Sequence, residues 1–210
     1  MYLYTRRARI NSFDGVAWAT DTAAAFTAAA GAECQVWGAV FSPGFGTIAW
    51  TSWYEDLVAL DASSDALMGD ASYMAKSAEG ANWIVPGSPV DDELMELVAG
   101  VPDPEGNPRY VSAVRATCAG GHIVDGMTLG AEIAQRADAA TGASTLFMRN
   151  VTGPYGGVAW FTGSADAAAM QAQQAGLAAD AGFLDVVDKV GGVYTDAVDP
   201  AQSVLWRRLS

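Results

Sequence analysis

The chain repeats itself. Ser42-Pro43-Gly44-Phe45-Gly46-Thr47-Ile48-Ala49-Trp50 returns as Thr152-Gly153-Pro154-Tyr155-Gly156-Gly157-Val158-Ala159-Trp160, 110 positions later in a chain of 210 residues. Other segments line up at nearly the same shift. Asp14-Gly15-Val16 matches Asp125-Gly126-Met127, and Ala28-Ala29-Ala30-Gly31-Ala32 matches Ala139-Ala140-Thr141-Gly142-Ala143, both at 111. Asp70-Ala71-Ser72-Tyr73 matches Asp180-Ala181-Gly182-Phe183 at 110, and Arg7-Ala8 matches Arg115-Ala116 at 108. The step from 108 to 111 falls between Ile10–Phe13 and Cys118–Val124, so the second copy has a longer loop there. The shared order of these matches argues for a duplicated unit of about half the chain.

The copies meet at Gly100-Val101-Pro102-Asp103-Pro104-Glu105-Gly106-Asn107-Pro108. Three prolines and two glycines in nine residues favour an extended linker over any regular element. The predicted organisation is therefore a first repeat over residues 1–99, a linker over 100–108 and a second repeat over 109–210.

Each copy mixes the two hydrophobic periods. Met1–Ala8 and Tyr110–Cys118 alternate and are predicted strands; Ala-rich Asp21–Ala30 and Gly130–Thr141 are predicted helices. Glu33–Phe41 and Thr145–Val151 are predicted strands, followed by a Pro/Gly hairpin and returning strands at Thr47–Trp53 and Gly157–Thr162. Helices follow at Glu55–Leu67 and Asp166–Ala178, with short helical pieces around Tyr73 and Phe183 and last strands at Glu93–Val98 and Ser203–Leu209. The order β-α-β-β-α-β is the ferredoxin-like arrangement.

That arrangement covers one sheet face with helices and leaves an apolar face that needs a partner. A second copy in the same chain supplies one. With this topology and repeat, the chain resembles the dimeric α/β-barrel superfamily in a tandem fused form. The resemblance implies an α+β fold of two βαββαβ repeats, their antiparallel sheets packed face to face as a barrel.

Charge and composition narrow the partners. A formal net charge of -13 repels phosphate backbones and anionic membrane surfaces, so nucleic acid and membrane are not expected as partners. No apolar stretch reaches the roughly 20 residues needed to span a bilayer, and the first residues enter a strand without a signal-like segment. A cytoplasmic location is expected, and Cys34 and Cys118, at non-equivalent places in the two copies, are expected as free buried thiols. The protein is expected as a monomer or homodimer.

Few residues offer chemistry. His122, the only histidine, lies in the longer loop of the second copy and is either the natural proton carrier or an ordinary loop residue. Arg7 and Arg115 stand at equivalent positions near the ends of the first strands. Such a pair of guanidinium groups either clamps a carboxylate or enolate oxygen or makes ion pairs with neighbouring acids. Trp50 and Trp160 are equivalent, and Trp37 lies on the adjoining strand; they either line a pocket for a flat apolar ligand or simply pack. One histidine and two scattered cysteines give no metal-ligand spacing, and no nucleophile elbow or dinucleotide fingerprint is present. No metal and no cofactor is expected.

Members of the superfamily include cofactor-free monooxygenases, haem-handling enzymes and small-molecule isomerases, but none of their catalytic sets maps onto these residues. The expected function is binding of a small, largely apolar molecule between the sheets, with ligand contacts from Arg7, Arg115, Trp37, Trp50 and Trp160. The alternatives are a cofactor-independent monooxygenase-like or isomerase-like enzyme using the same cavity with His122 as catalytic residue, and a structural or interaction protein with a solid core.

Overall fold

The computed structural model describes residues 1–102, 107–195 and 202–210. Its elements follow in the order β1 (Tyr2–Arg9), α1 (Gly15–Ala30), β2 (Gln35–Val40), β3 (Thr47–Tyr54), α2 (Leu57–Gly69), α3 (Ala71–Ala78) and β4 (Asp91–Ala99). The same order then returns as β5 (Tyr110–Thr117), α4 (Ile123–Thr141), β6 (Thr145–Asn150), β7 (Gly157–Ser164), α5 (Ala167–Ala179), α6 (Ala181–Val187) and β8 (Gln202–Arg208). β3 pairs antiparallel with β1 and β2, and β7 pairs antiparallel with β5 and β6. The fold is α+β, as expected. The middle of the expected linker, residues 103–106, lies outside the described residues.

The chain forms two compact units. Unit 1 comprises Met1–Met95 together with Arg207–Ser210, and unit 2 comprises Glu96–Trp206. Residues Arg207–Ser210 thus belong to unit 1, where the Leu209 amide donates to the Val36 carbonyl at 2.8 Å.

In unit 1, β3 is the middle strand. It pairs antiparallel with β1 (Arg7 opposite Ala49) and with β2 (Trp37 opposite Ala49). One sheet face packs on α1 through Ala8, Val36, Ile48 and Trp50 against Trp18, Ala19 and Ala23. Alanines at 19 and 23 let the helix approach the sheet closely, while the two indoles fill the volume. Gly31, at φ 69°, ends α1 in the left-handed conformation that a β-carbon disfavours, and Gly142 ends α4 at the same angle.

Unit 2 repeats the registers, with Arg115 and Met148 both opposite Ala159 on β7. Its core joins Ala116, Cys118, Ala134, Phe147, Val158 and Trp160. The outer helices start on matching caps. Asp56 and Asp166 accept from the amides of Ala59 and Ala169 at 2.8 Å; Asp70 and Asp180 accept from those of Tyr73 and Phe183 at 2.7 Å. Each cap contributes about 1 kcal/mol to its helix.

The largest departure from the sequence expectation is at the starts of α1 and α4. Both begin earlier than predicted, at Gly15 and Ile123 rather than Asp21 and Gly130. Their first turns hold Gly and β-branched residues of weak helix propensity, which hid them. Packing overrides that weakness. Trp18 is buried against the sheet, and Gly126 and Gly130 lie where a β-carbon would meet Cys118 and Phe147.

Candidate functional site

Strand register decides which side chains share a face, since directly opposed residues in an antiparallel pair point the same way. In unit 1, Trp50 stands opposite Arg6 and Val36, and its indole Nε1 donates to the α1 carbonyl of Ala19 at 2.9 Å. That face is the helix side. Trp37, Ala49 and Arg7 therefore form a row across β2, β3 and β1 on the helix-free face. β4 extends the row, because Arg7 Nη2 lies 3.8 Å from the Glu93 carboxylate.

The helix-free face of unit 1 is mostly apolar and buried. Leu3 and Thr5 on β1, Trp37 and Met95 are all under one tenth exposed, and Glu93 is buried with them. The Trp37 indole donates to Thr51 Oγ1 at 2.9 Å, which holds its ring in place. Arg7 differs from these neighbours, with 26% of its side chain exposed against 6% for Glu93. An aromatic wall and a guanidinium–carboxylate end thus stand on one row of one sheet.

The helix side carries a second, tighter pair one residue earlier on each strand. Arg6 donates through Nε and Nη2 to the two carboxylate oxygens of Asp92, both at 2.7 Å. Burial raises the Asp92 carboxyl, but the hydrogen bonds and charge of Arg6 outweigh it and hold the group below its ordinary value. Burial also pushes the neighbouring Tyr4 hydroxyl well above the ordinary tyrosine range.

In unit 2 the matching row is Met148, Ala159 and Arg115. The Arg115 guanidinium lies over the Phe161 ring, 5.7 Å from its centroid. Met148 takes the place of Trp37, so the two rows differ in their aromatic wall.

Trp50 and Trp160 sit on the helix side. Trp160 Nε1 donates to the Gly130 carbonyl at 2.8 Å; its ring stacks on Phe147 at 5.2 Å and meets the Tyr194 ring edge-on at 5.6 Å. Trp50 meets Trp18 edge-on at 5.4 Å. Both belong to the packing between sheet and helix, and neither faces Arg7, Arg115 or Trp37.

His122 precedes the first residue of α4. Its Nδ1 lies 3.1 Å from Asp125 Oδ2, and both side chains are about half exposed or more, at 49% and 66%. The fold brings Trp37 and Arg7 onto one row, Arg115 onto the corresponding row of unit 2, and His122 to Asp125. Cys34 and Cys118 are free thiols; Cys118 is buried and Cys34 partly so. Among the described residues, no group of three His, Cys, Asp or Glu side chains is placed to hold a metal ion. Among the same residues, no helix is long and apolar enough to cross a membrane.

Glu93 is the site residue that sequence reasoning missed. Its signal was present: in Asp91-Asp92-Glu93-Leu94-Met95 the carboxylate shares strand parity with Met95, the buried register. A charged residue in that register demands a partner, and Arg7 supplies it.

No family model matches the sequence, and no curated protein matches it. Solved structures do. A candidate monooxygenase from Fusobacterium nucleatum superposes with a TM-score of 0.69 at 7% identity, over 100% of this chain and 92% of the other. An anthrone oxidase-like protein gives 0.69 at 10% identity, over 99% and 90%. Chlorite dismutase from Candidatus Nitrospira defluvii gives 0.51 at 12% identity, over 99% and 92%. Identities this low speak for the fold alone. With its element order given twice in one polypeptide, the chain has a ferredoxin-like α+β fold, which it shares with these solved structures.

Proposed function

We propose that this protein binds a small, largely apolar molecule against the helix-free face of its sheet, with Trp37 as the aromatic wall and Arg7 with Glu93 as the polar end. The observation that carries this reading is the row Trp37–Ala49–Arg7–Glu93 across four strands of unit 1. Ala49 is the smallest side chain in that row and separates the indole from the guanidinium. Apolar walls with few, convergent polar groups are what small-molecule sites are made of. The names of the proteins of like fold, a candidate monooxygenase and an anthrone oxidase-like protein, accord with a small organic ligand.

In this reading Trp50 and Trp160 are framework that fixes the sheet against its helices, and Arg115 is the counterpart of Arg7 after duplication of an ancestral unit. We place the protein in the cytoplasm, as a monomer or homodimer, with no nucleic-acid partner, in keeping with its net charge of -13. An enzymatic use of the face would draw on Arg115 and His122, and its signature is loss of turnover in both Arg115→Ala and His122→Ala. The contact of His122 with Asp125 on an exposed helix start favours binding over catalysis.

Native mass spectrometry of the protein purified from its own host tests the proposal. A retained organic molecule at one per chain is expected, and its occupancy should fall in Trp37→Ala. A chain that carries no adduct and binds no fused-ring aromatic in titration would remove the binding reading.

A further inference from the structure

We propose that two copies of this chain associate weakly and reversibly through an aromatic tip of unit 1, where Phe13, Phe41 and Phe45 of one copy meet the same residues of the other. The tip uses none of the residues of the row Trp37–Ala49–Arg7–Glu93, so the inference stands apart from the ligand reading.

The tip joins the loop before α1 to the turn between β2 and β3. The Ile10 amide donates to the Gly46 carbonyl at 2.9 Å, which ties the loop to the turn. The Phe13 and Phe45 rings meet edge-on with their centroids 5.9 Å apart, yet the two residues stay 76% and 60% exposed. Phe41 opens the same turn and is 91% exposed. Among the described residues it is the one non-glycine with a positive φ, at 50°. A β-carbon makes that conformation costly, and so exposed a ring recovers little of the cost by packing. Backbone strain of this kind clusters at sites that bind. The matching positions of unit 2, Val124, Val151 and Tyr155, again leave large side chains exposed. Single exposed rings are ordinary, but three on one loop and turn, with three exposed counterparts in the second unit, mark an interaction surface.

Charge selects a second copy as the occupant. With a net charge of -13, two copies repel wherever their charged surfaces meet. The turn Ser42-Pro43-Gly44-Phe45-Gly46 has no charged residue. The loop is bounded by Arg9 and Asp14, both exposed and of opposite sign. In a two-fold contact residue i meets j and j meets i, so such a rim is complementary to itself. Area sets the strength. An aromatic side chain offers roughly 150–250 Å², so at these exposures the three rings offer on the order of 450 Å² per copy. Two facing tips would bury on the order of 900 Å², short of the roughly 1,600 Å² of stable complexes and in the range of transient ones.

Sedimentation velocity of the full chain over a wide range of concentration reads the association. The weight-average mass should climb from that of one chain toward that of two and no further. Phe41→Gly should raise the dissociation constant about tenfold or more, because the lost ring counts twice in a two-fold contact. Its urea midpoint should hold or rise, since glycine relieves the left-handed backbone and the ring buried little. Phe13→Ser should weaken association in the same way. The wild-type concentration dependence needs no variant. A chain that stays monomeric at every concentration would overturn the proposal, as would a mass that grows past two chains. A dimer unchanged in both variants, or a monomer that instead binds phosphatidylcholine vesicles, would overturn it as well.

Discussion

Trp160 donates its indole N–H to the backbone carbonyl of Gly130 at 2.8 Å, and Trp50 makes the same bond to the carbonyl of Ala19 at 2.9 Å. Each bond ties the third strand of a unit to the helix above it. The neighbours of the two bonds differ in a compensating way. Beside Trp160 the strand carries Phe147 and the helix carries glycine; beside Trp50 the strand carries Val36 and the helix carries alanine. A large side chain on the sheet is matched by a missing one on the helix.

This compensation makes a double-mutant cycle decisive. A β-carbon at Gly130 would lie 2.1 Å from Phe147 Cζ, inside van der Waals contact with a ring that is fully buried. Gly130→Ala should cost about 1–3 kcal/mol through overpacking, despite the better helix propensity of alanine. Phe147→Val should cost a similar or larger amount through the cavity it leaves. The double variant restores the Ala/Val combination of unit 1, so its loss should fall well short of the sum. Urea denaturation of the four proteins gives the coupling, and strict additivity would refute the compensation.

The matching helix caps predict equal penalties in the two units. Asp56→Ala and Asp166→Ala each remove a side-chain acceptor 2.8 Å from an amide at the start of an outer helix. Each should lower stability by about 1 kcal/mol, and the two losses should be alike because the two caps have the same geometry. Thermal unfolding monitored by circular dichroism checks both points.

Much of this fold was legible because the same local solutions occur twice. The match of Asp70-Ala71-Ser72-Tyr73 with Asp180-Ala181-Gly182-Phe183 is a pair of helix caps, and the Ala-rich match ending in Gly31 and Gly142 is a pair of left-handed helix ends. Local backbone chemistry of this kind leaves its mark on adjacent residues, and a repeat makes the mark visible. The candidate site left a weaker one. Trp37, Arg7 and Glu93 come from three strands spread over much of unit 1, and only the registers through Ala49, with the reach of Arg7 to β4, bring them onto one row. Sequence equivalence singles out Trp50 and Trp160, whose indoles bond to helix carbonyls on the other face of the sheet from Arg7. Parity within β1 left open which face Arg7 occupies; the bond from Trp50 to α1 settles it, because Arg7 is on the other side of the same sheet.

The two thiols should react slowly in the folded protein. Burial pushes the Cys34 thiol up to about 11, with a hydrogen bond from Ser52 pulling the other way and Glu33 adding to the rise. Burial likewise raises Cys118, which is 6% exposed. The thiolate is the nucleophile, so at neutral pH little of either side chain is in the reactive form. Iodoacetamide labelling should be slow under native conditions and fast in denaturant, and the Cys34 rate should climb as pH rises toward 11. Fast native labelling of Cys34 at neutral pH would contradict its described burial.

The Arg6–Asp92 fork should give the protein an acid-sensitive increment of stability. Asp92 is held below its ordinary value in the folded chain, so its pairing stabilises the fold above the ordinary carboxylate pKa of about 3.9 and fades as pH falls through the lowered folded value. The side chains of Arg6 and Asp92 are 39% and 47% exposed, so water screens the pair and its worth is at most about 1 kcal/mol. Asp92→Asn should therefore unfold at a lower urea concentration than the wild type near neutral pH, and the gap should narrow below about pH 4. Added salt should shrink the neutral-pH gap as well, since the pair is partly exposed. A gap that is constant from neutral to acid pH would mean that Asp92 acts through packing and not through its charge.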